Sequence, residues 1–353
     1  MAIDWNELKE NENMKDLVKE VTRIKDELTQ EKQIEKAIES LDYLSTGVTL
    51  LNLAFSGEAN GGMAKGHIYR LAGKSGTSKT FLSRSILAEA VANPEFNDYK
   101  LCYDDVEHGA LMSTEKFFGE RLAKRMKVFN SVSTNDFYTT LGKKLEDGEK
   151  VIWIEDSLDG LVPVQESKMG DMSKARETSQ GLRKLLDPIN DTGSIVVLIS
   201  QTRMNIGSFM GGDSPTGGRA PEFYSTQEVF LKKIKTIKKA YKDNDYPIGV
   251  RIQAHVTKNR ISGVDRTIEF PLYYTYGIDD IGANIDYLCS HSYWKLVKGI
   301  ITLDDFGGFK GRKDELIAKV EKENLEEQIK TIVNRIWKEI EEAVSIDRQP
   351  RYS

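Results

Sequence analysis

Gly73-Lys74-Ser75-Gly76-Thr77-Ser78-Lys79-Thr80 stands between an apolar run, residues 67–71, and a helical pattern running from Phe81 to Val91. A glycine-led loop in that setting lets successive backbone N–H groups converge on anionic oxygens, and the N-terminus of the following helix adds partial positive charge. For a nucleoside triphosphate the roles divide by residue type: Lys79 reaches the β- and γ-phosphates, and Thr80 holds Mg²⁺. Ser78 stands before the lysine, where the consensus has glycine, so its Cβ crowds the turn. Taken by itself the segment also suits a serine-rich turn in which Ser78 caps the helix behind it.

Carboxylates at two strand ends complete such a site. The apolar run Val151-Ile152-Trp153-Ile154 ends in Glu155-Asp156-Ser157, and Asp156 is the natural partner of Thr80 at the metal, since Mg²⁺ needs oxygen ligands beside the phosphates. Tyr103-Asp104-Asp105-Val106-Glu107-His108 is a second strand end. Glu107 there is the candidate to orient and deprotonate the water that attacks the γ-phosphate; without the loop at 73–80, a solvated acidic turn explains it equally well. A third strand ends at Ser200-Gln201, where Gln201 can touch the γ-phosphate and report nucleotide state onward.

The stretch 202–219 is glycine-rich, has few core-forming groups and reads as a long loop. Arg203, Arg219 and exposed backbone N–H groups suit it to gripping a nucleic-acid backbone, with a plain flexible connection as the alternative. A second loop spans residues 165–172, and Lys174, Arg176, Arg183 and Lys184 follow on a helical segment. Arg176 and Arg183 share a face of that helix and are read as DNA contacts, Lys184 as solvated.

These residues need a scaffold, and the pattern supplies one. Strand-like runs at 67–71, 101–106, 127–132, 151–155 and 194–200 alternate with helical segments, which implies βαβ units and a mostly parallel sheet binding ligands at its carboxyl ends. Runs at 228–234, 250–256 and 267–272 lie closer together and predict antiparallel strands appended to that sheet. Before residue 45, Met14, Leu17, Val21, Ile24 and Leu28 form a narrow apolar stripe on a charged helix. After Gly277, Leu325, Ile329, Ile332, Val333, Ile336 and Ile340 mark one long amphipathic helix in a small, mainly helical unit. The expected organisation is residues 1–44 as an N-terminal helical segment, 45–277 as the core, and 278–353 as a small C-terminal domain.

A chain of 353 residues, 39% hydrophobic, buries a full α/β core. No run approaches the roughly 18 apolar residues of a membrane span, residues 1–30 carry no apolar signal core, and a cytoplasmic protein without membrane partners is expected. Two cysteines far apart and four histidines without ligand spacing suggest neither a disulfide framework nor a zinc site. The net charge of −5 confines any nucleic-acid surface to a local patch.

The whole pattern resembles the RecA family of DNA recombinases, most closely its UvsX-like bacteriophage branch, from Ser45-Thr46-Gly47 to about Tyr287. The most specific matches are residues 105–108, 179–185, 201–207 and 216–220. The resemblance implies a RecA-like P-loop ATPase core using ATP and Mg²⁺, with residues 73–80 and Asp156 at the nucleotide, Glu107 as catalytic base and Gln201 as γ-phosphate sensor. It implies that segments 165–172 and 202–220, with Lys168, Asn205, Gly217 and Gly218, are two DNA-binding loops. Lys258 and Arg260 match basic residues extended to the ATP of the adjoining protomer, a charge in trans that makes hydrolysis depend on assembly; without the family they are a basic strand end. Tyr274 aligns with a tyrosine near the adenine. The segment after His108 departs from the bacterial adenine-holding pattern.

The implied function is an ATP-dependent recombinase whose N-terminal helix packs on the next subunit, forming filaments on single-stranded DNA that pair with homologous duplex in recombination and repair, with single-strand-binding and loader proteins as possible helpers. A ring-shaped helicase of the same fold and a nucleotide-gated DNA-binding scaffold deficient in hydrolysis are the alternatives.

Overall fold

Val, Ile and Leu-rich segments buried on both faces build the central sheet. In Val151-Ile152-Trp153-Ile154, Val151 and Trp153 join one apolar cluster while Ile152 and Ile154 join the other, as the two-residue period of a doubly covered strand requires. The computed structural model describes residues 43–109, 111–164, 170–204, 213–215 and 220–349. The chain divides into two compact units, Met1–Asp42 and Tyr43–Ser353; the stripe from Met14 to Leu28 lies outside the described residues.

Five parallel strands, β1 (His67–Gly73), β2 (Lys100–Asp105), β3 (Met126–Phe129), β4 (Val151–Asp156) and β5 (Ile195–Met204), lie in the order β1-β5-β4-β2-β3. On the far side of β1 come β6 (Gln227–Tyr241), β7 (Asn244–Asn259), β8 (Arg266–Tyr273) and β9 (Gly277–Ile278). β7, β8 and β9 add antiparallel. β6 instead runs parallel to β1, from Tyr69↔Gln227 to Gly73↔Leu231. The expectation of purely antiparallel addition missed this because β6 follows a crossover, so it enters the sheet at the same end as β1. β5 also continues past Gln201 and pairs antiparallel with Asp213–Pro215, so the root of the stretch expected as loop is a β-ribbon.

Helix α1 (Thr49–Ser56) and α2 (Lys79–Ala92) lie on one face, where Leu82 and Ile86 join a cluster with Leu71, Ile154 and Ile199. α3 (Thr134–Glu146) and α4 (Gly170–Thr192) lie on the other, where Phe137, Leu182 and Ile189 join one with Cys102, Trp153 and Val196. α5 (Asp280–Ser290), α6 (Lys313–Glu323) and α7 (Glu326–Ala343) share the first cluster, and Ile329, Val333 and Ile336 of the expected stripe are buried there. Three short strands, Lys295–Val297, Ile300–Leu303 and Phe309–Gly311, form a small antiparallel sheet in this region. Their runs are too short to register as strands in the sequence.

A buried polar layer fixes β6 against β1. Arg70 Nη1 lies 2.7 Å from Glu228 Oε2, Arg70 Nε donates to Ser200 Oγ, and Thr257 Oγ1 donates to Glu228 Oε1, which ties four strands together. Cys102 is a buried free thiol pushed up to about 11 by burial, and so inert. No helix among the described residues is long and apolar enough to cross a membrane.

Candidate active site

The carboxyl ends of β1, β2, β4 and β5 converge on a cavity of about 390 Å³ walled by residues 75–81 with Asp105, Glu107, Asp156, Ser157 and Gln201. This is where an open α/β sheet binds ligands. A second cavity of about 460 Å³, between β8, α5 and α7, holds none of these residues; its Arg251 and Arg266 are already paired with Asp286 and Glu341.

β1 ends on Gly73 because nothing larger fits: a Cβ there would strike the carbonyl oxygen of Leu231 and lie 2.9 Å from Thr77 Oγ1. The chain then loops through residues 74–78 into α2. Lys79 is 7% exposed, and its Nζ donates to the carbonyls of Gly73 and Lys74, both at 2.8 Å. An ammonium has three donors, so one remains for an oxygen in the cavity. Burial lowers the Lys79 pKa, opposed by the charges of Asp156, Glu107 and Asp159. Ser78 takes the left-handed conformation, φ 68° and ψ 20°, the geometry for which the consensus uses glycine. It occupies the N-cap position but its side chain makes no capping bond, so the helix-cap explanation of this serine fails.

Thr80 Oγ1 donates to Asp156 Oδ2 at 2.7 Å, and the same oxygen accepts from the Tyr103 hydroxyl. Burial raises the Asp156 pKa, while those two hydrogen bonds lower it. A hydroxyl and a carboxylate meeting at the first turn of α2 are hard oxygen donors of the kind Mg²⁺ takes, so the residues present fit that ion beside a phosphate.

Glu107 follows β2 and projects from an exposed turn. Its Oε1 accepts from Ser157 Oγ at 2.8 Å and from Gln201 Nε2 at 3.0 Å. The two residues singled out separately in the sequence therefore touch, and both line the cavity. The Gln201 backbone N–H donates to Asp159 Oδ2.

Other expected residues lie apart from this cluster. Lys258 Nζ donates to the carbonyls of Glu222 and Phe223, and Arg260 Nη2 to that of Phe223, at the end of the short helix Ala220–Tyr224. Tyr274 is 49% exposed beyond the end of β8 and is not part of the cavity wall. Arg176 and Arg183 are exposed on α4, and Arg203 pairs with Ser214 on the extension of β5. Lys168, Asn205, Gly217, Gly218 and Arg219 lie outside the described residues.

Sequence reasoning missed Tyr103, Ser157 and Asp159, whose types are unremarkable until the strand ends meet. It also missed a basic hairpin. Lys232, Lys233, Lys235, Lys238, Lys239 and Lys242 are all exposed on β6 and its turn, beyond Leu231 where pairing with β1 ends. Tyr241 and Tyr246 are exposed beside them with rings 6.4 Å apart. The run Lys-Lys-x-Lys-x-x-Lys-Lys was the available signal.

A largely parallel sheet covered on both faces, with a glycine-led loop feeding α2 and carboxylates on the neighbouring strand ends, defines an α/β core of the RecA-like kind. The chain belongs to the RecA family: the family model described as the RecA N-terminal domain matches residues 15–279. It is similar to Protein RecA of Campylobacter fetus, with 32% identity over 264 residues covering 72% of each chain. It is also similar to Protein RecA of Geobacter metallireducens, 30% identical over 263 residues covering 71% of this chain and 73% of the relative, and to that of Rickettsia massiliae, 30% identical over 273 residues covering 74% and 76%.

Proposed function

We propose that this chain is an ATP-dependent recombinase that assembles on single-stranded DNA and promotes pairing and strand exchange with homologous duplex. The observation that carries the reading is the bridge from Glu107 to Gln201. It joins a carboxylate able to activate water to the root of a segment suited to DNA, beside a loop suited to triphosphate.

In this reading the backbone N–H groups of residues 74–80 cradle the phosphates, and Lys79 directs its remaining donor at the β- and γ-oxygens. Mg²⁺, held by Thr80 and Asp156, would supply charge neutralisation at those oxygens. Glu107 Oε2 accepts the proton of the attacking water while Ser157 and Gln201 hold its other oxygen. Gln201 can exchange Glu107 for a γ-phosphate oxygen, so its amide has two alternative acceptors. Lys258 and Arg260 act at the ATP of an adjoining protomer, Tyr274 stacks on the base at that seam, and residues 1–44 pack between subunits of a filament. Arg176, Arg183, Arg203 and Arg219, with Lys168, Asn205, Gly217 and Gly218, contact the single strand, and the lysine hairpin from Lys232 to Lys242 offers a further polyanion surface. Residues 278–353 form the small C-terminal domain, and the site of action is the cytoplasm. The UvsX-like phage branch is proposed on the resemblance of the whole motif pattern, most specifically residues 105–108, 179–185, 201–207 and 216–220.

Ser78 in a left-handed conformation also favours one second reading, a nucleotide-gated scaffold that binds DNA without turnover. Phosphate release measured against added single-stranded DNA, with particles viewed by electron microscopy in the same sample, separates the two. The recombinase reading expects DNA-stimulated release and open filaments, and the scaffold expects filaments without release. A chain that stays monomeric and ignores oligonucleotides when saturated with a non-hydrolysable ATP analogue overturns both.

A further inference from the structure

β5 outruns its neighbour: β4 pairs with it only from Ile152↔Ile195 to Glu155↔Leu198, so backbone groups of β5 beyond Leu198 on that side need partners from elsewhere. The chain leaving β4 turns through a single 3₁₀ turn, Leu158–Gly160, and Asp159 from this turn accepts the Gln201 N–H. A carboxylate accepting from a backbone amide makes a charge-assisted bond stronger than the neutral ladder bond it replaces.

Two other contacts meet at the same turn, and a third lies just beyond it. Lys174 Nζ, near the start of α4, donates to the Asp159 carbonyl at 2.8 Å. Gly160 packs on the stem of Glu107, where an added Cβ would lie 2.8 Å from Val106 Cγ1 and 3.3 Å from Glu107 Cγ. Glu177, further along α4, accepts from the Val164 N–H and from Thr134 Oγ1. The start of α4 is thus stapled to segment 159–164 at two points, and that segment holds both Gln201 and the base of Glu107.

We infer that Asp159 is a positioning residue that makes nucleotide state at Glu107 and Gln201 felt at the start of α4, the helix that carries Arg176. This rests on the recombinase reading. Because Asp159 pins the Gln201 main chain, arrival of a γ-phosphate is answered by rotation of the Gln201 side chain about a fixed point. The displaced bond to Glu107 then shifts the turn that Lys174 grips. Without the pin the strand end absorbs the change locally, and α4 is not informed.

The test measures coupling. The affinity of the full-length protein for a fluorescent oligo-dT is read by anisotropy without nucleotide and with a saturating non-hydrolysable ATP analogue; the ratio is the coupling factor, and affinity for the analogue is titrated separately. Asp159→Ala is expected to reduce the coupling factor by about fivefold or more, while affinity for the analogue changes far less. Asp159→Asn keeps an acceptor for the Gln201 N–H and should retain most of the coupling, a rescue that loss of folding does not mimic. Lys174→Met should lose coupling similarly, and the double variant should lose little more than either single change. If Asp159→Ala does not fold, the contrast between Lys174→Met and Asp159→Asn carries the test. A full coupling factor in Asp159→Ala or in Lys174→Met overturns the proposal. Absence of coupling in the wild-type protein instead overturns the recombinase reading beneath it.

Discussion

Replacing Glu107 by glutamine changes one property of the site and little else. Glutamine matches glutamate in shape, and its Oε1 can still accept from Ser157 Oγ and Gln201 Nε2, the two bonds that hold Glu107 at 2.8 and 3.0 Å. The side chain is exposed, so the substitution should alter stability by no more than about 0.5 kcal/mol. What disappears is a group able to take a proton from water. General-base catalysis contributes about 10²–10⁴ in rate, which corresponds to roughly 3–5 kcal/mol of barrier. Steady-state phosphate release with excess single-stranded DNA should therefore fall by about 10²–10⁴, while a fluorescent-nucleotide titration gives an affinity close to wild type. Ser157→Ala is the graded control: it removes one donor of about 1 kcal/mol, so turnover should drop roughly tenfold or less. Glu107→Gln turnover close to wild type removes Glu107 from the mechanism. A parallel loss of nucleotide affinity would show instead that the carboxylate acts in binding.

Burial and the neighbouring Asp104 push the Glu155 carboxyl well above its ordinary 4.5, so the fold holds a proton that the unfolded chain releases, and stability declines as pH rises above that value, by up to about 1.4 kcal/mol per pH unit. Glu155→Gln keeps an acceptor for Trp153 Nε1 and should flatten that decline in urea midpoints taken from pH 5 to 8; parallel profiles would show that Glu155 is ionised in the fold. Ser78→Gly removes a left-handed cost of about 1–2 kcal/mol and adds about 0.5–1 kcal/mol of chain entropy in the unfolded state, so thermal denaturation should show a melting temperature raised by a degree or two, and a fall would mean that the serine side chain stabilises the loop. The double change Lys238→Ala with Lys239→Ala should lower the salt dependence of duplex binding by up to about 2 in log–log slope; an unchanged slope excludes the hairpin from phosphate contact.

The apolar runs made the sheet legible, because a strand buried on both faces must be apolar at nearly every position, as Val151 to Ile154 and Ile195 to Ile199 are. Apart from the three short strands between Lys295 and Gly311, the departures come from pairing rather than from propensity. Nothing local tells β6 to lie parallel to β1, since its direction is set by the crossover that precedes it. The extension of β5 through Met204 depends on Asp213–Pro215 returning to meet it. Even Glu155, one residue before Asp156, read as part of an acidic strand end. The two-residue period turns it to the opposite face, into a core with Trp153 and against Asp104 across the strand pair.

The same distinction governs the site. Lys79, Thr80 and Asp156 could be named from the sequence because their chemistry is tied to a fixed spacing or to a strand end, and a glycine-led loop with a lysine and a hydroxyl constrains what it can bind. Glu107 and Gln201 could be named singly, but not their mutual hydrogen bond, since two strand ends separated by β4 in the sheet must both be in place before it exists. Asp159 could not be named at all. An aspartate after a strand is ordinary turn chemistry, and its bond to the Gln201 N–H exists only because β5 runs on beyond the last pair it makes with β4, Glu155↔Leu198. Residues that bind a ligand carry their signal in their own type and spacing. A residue proposed to transmit its presence carries its signal in contacts that exist only once the strand ends have met, as the Asp159 bond to the Gln201 N–H does, and on that reading Asp159→Ala and Glu107→Gln should separate experimentally, the first acting on coupling and the second on turnover.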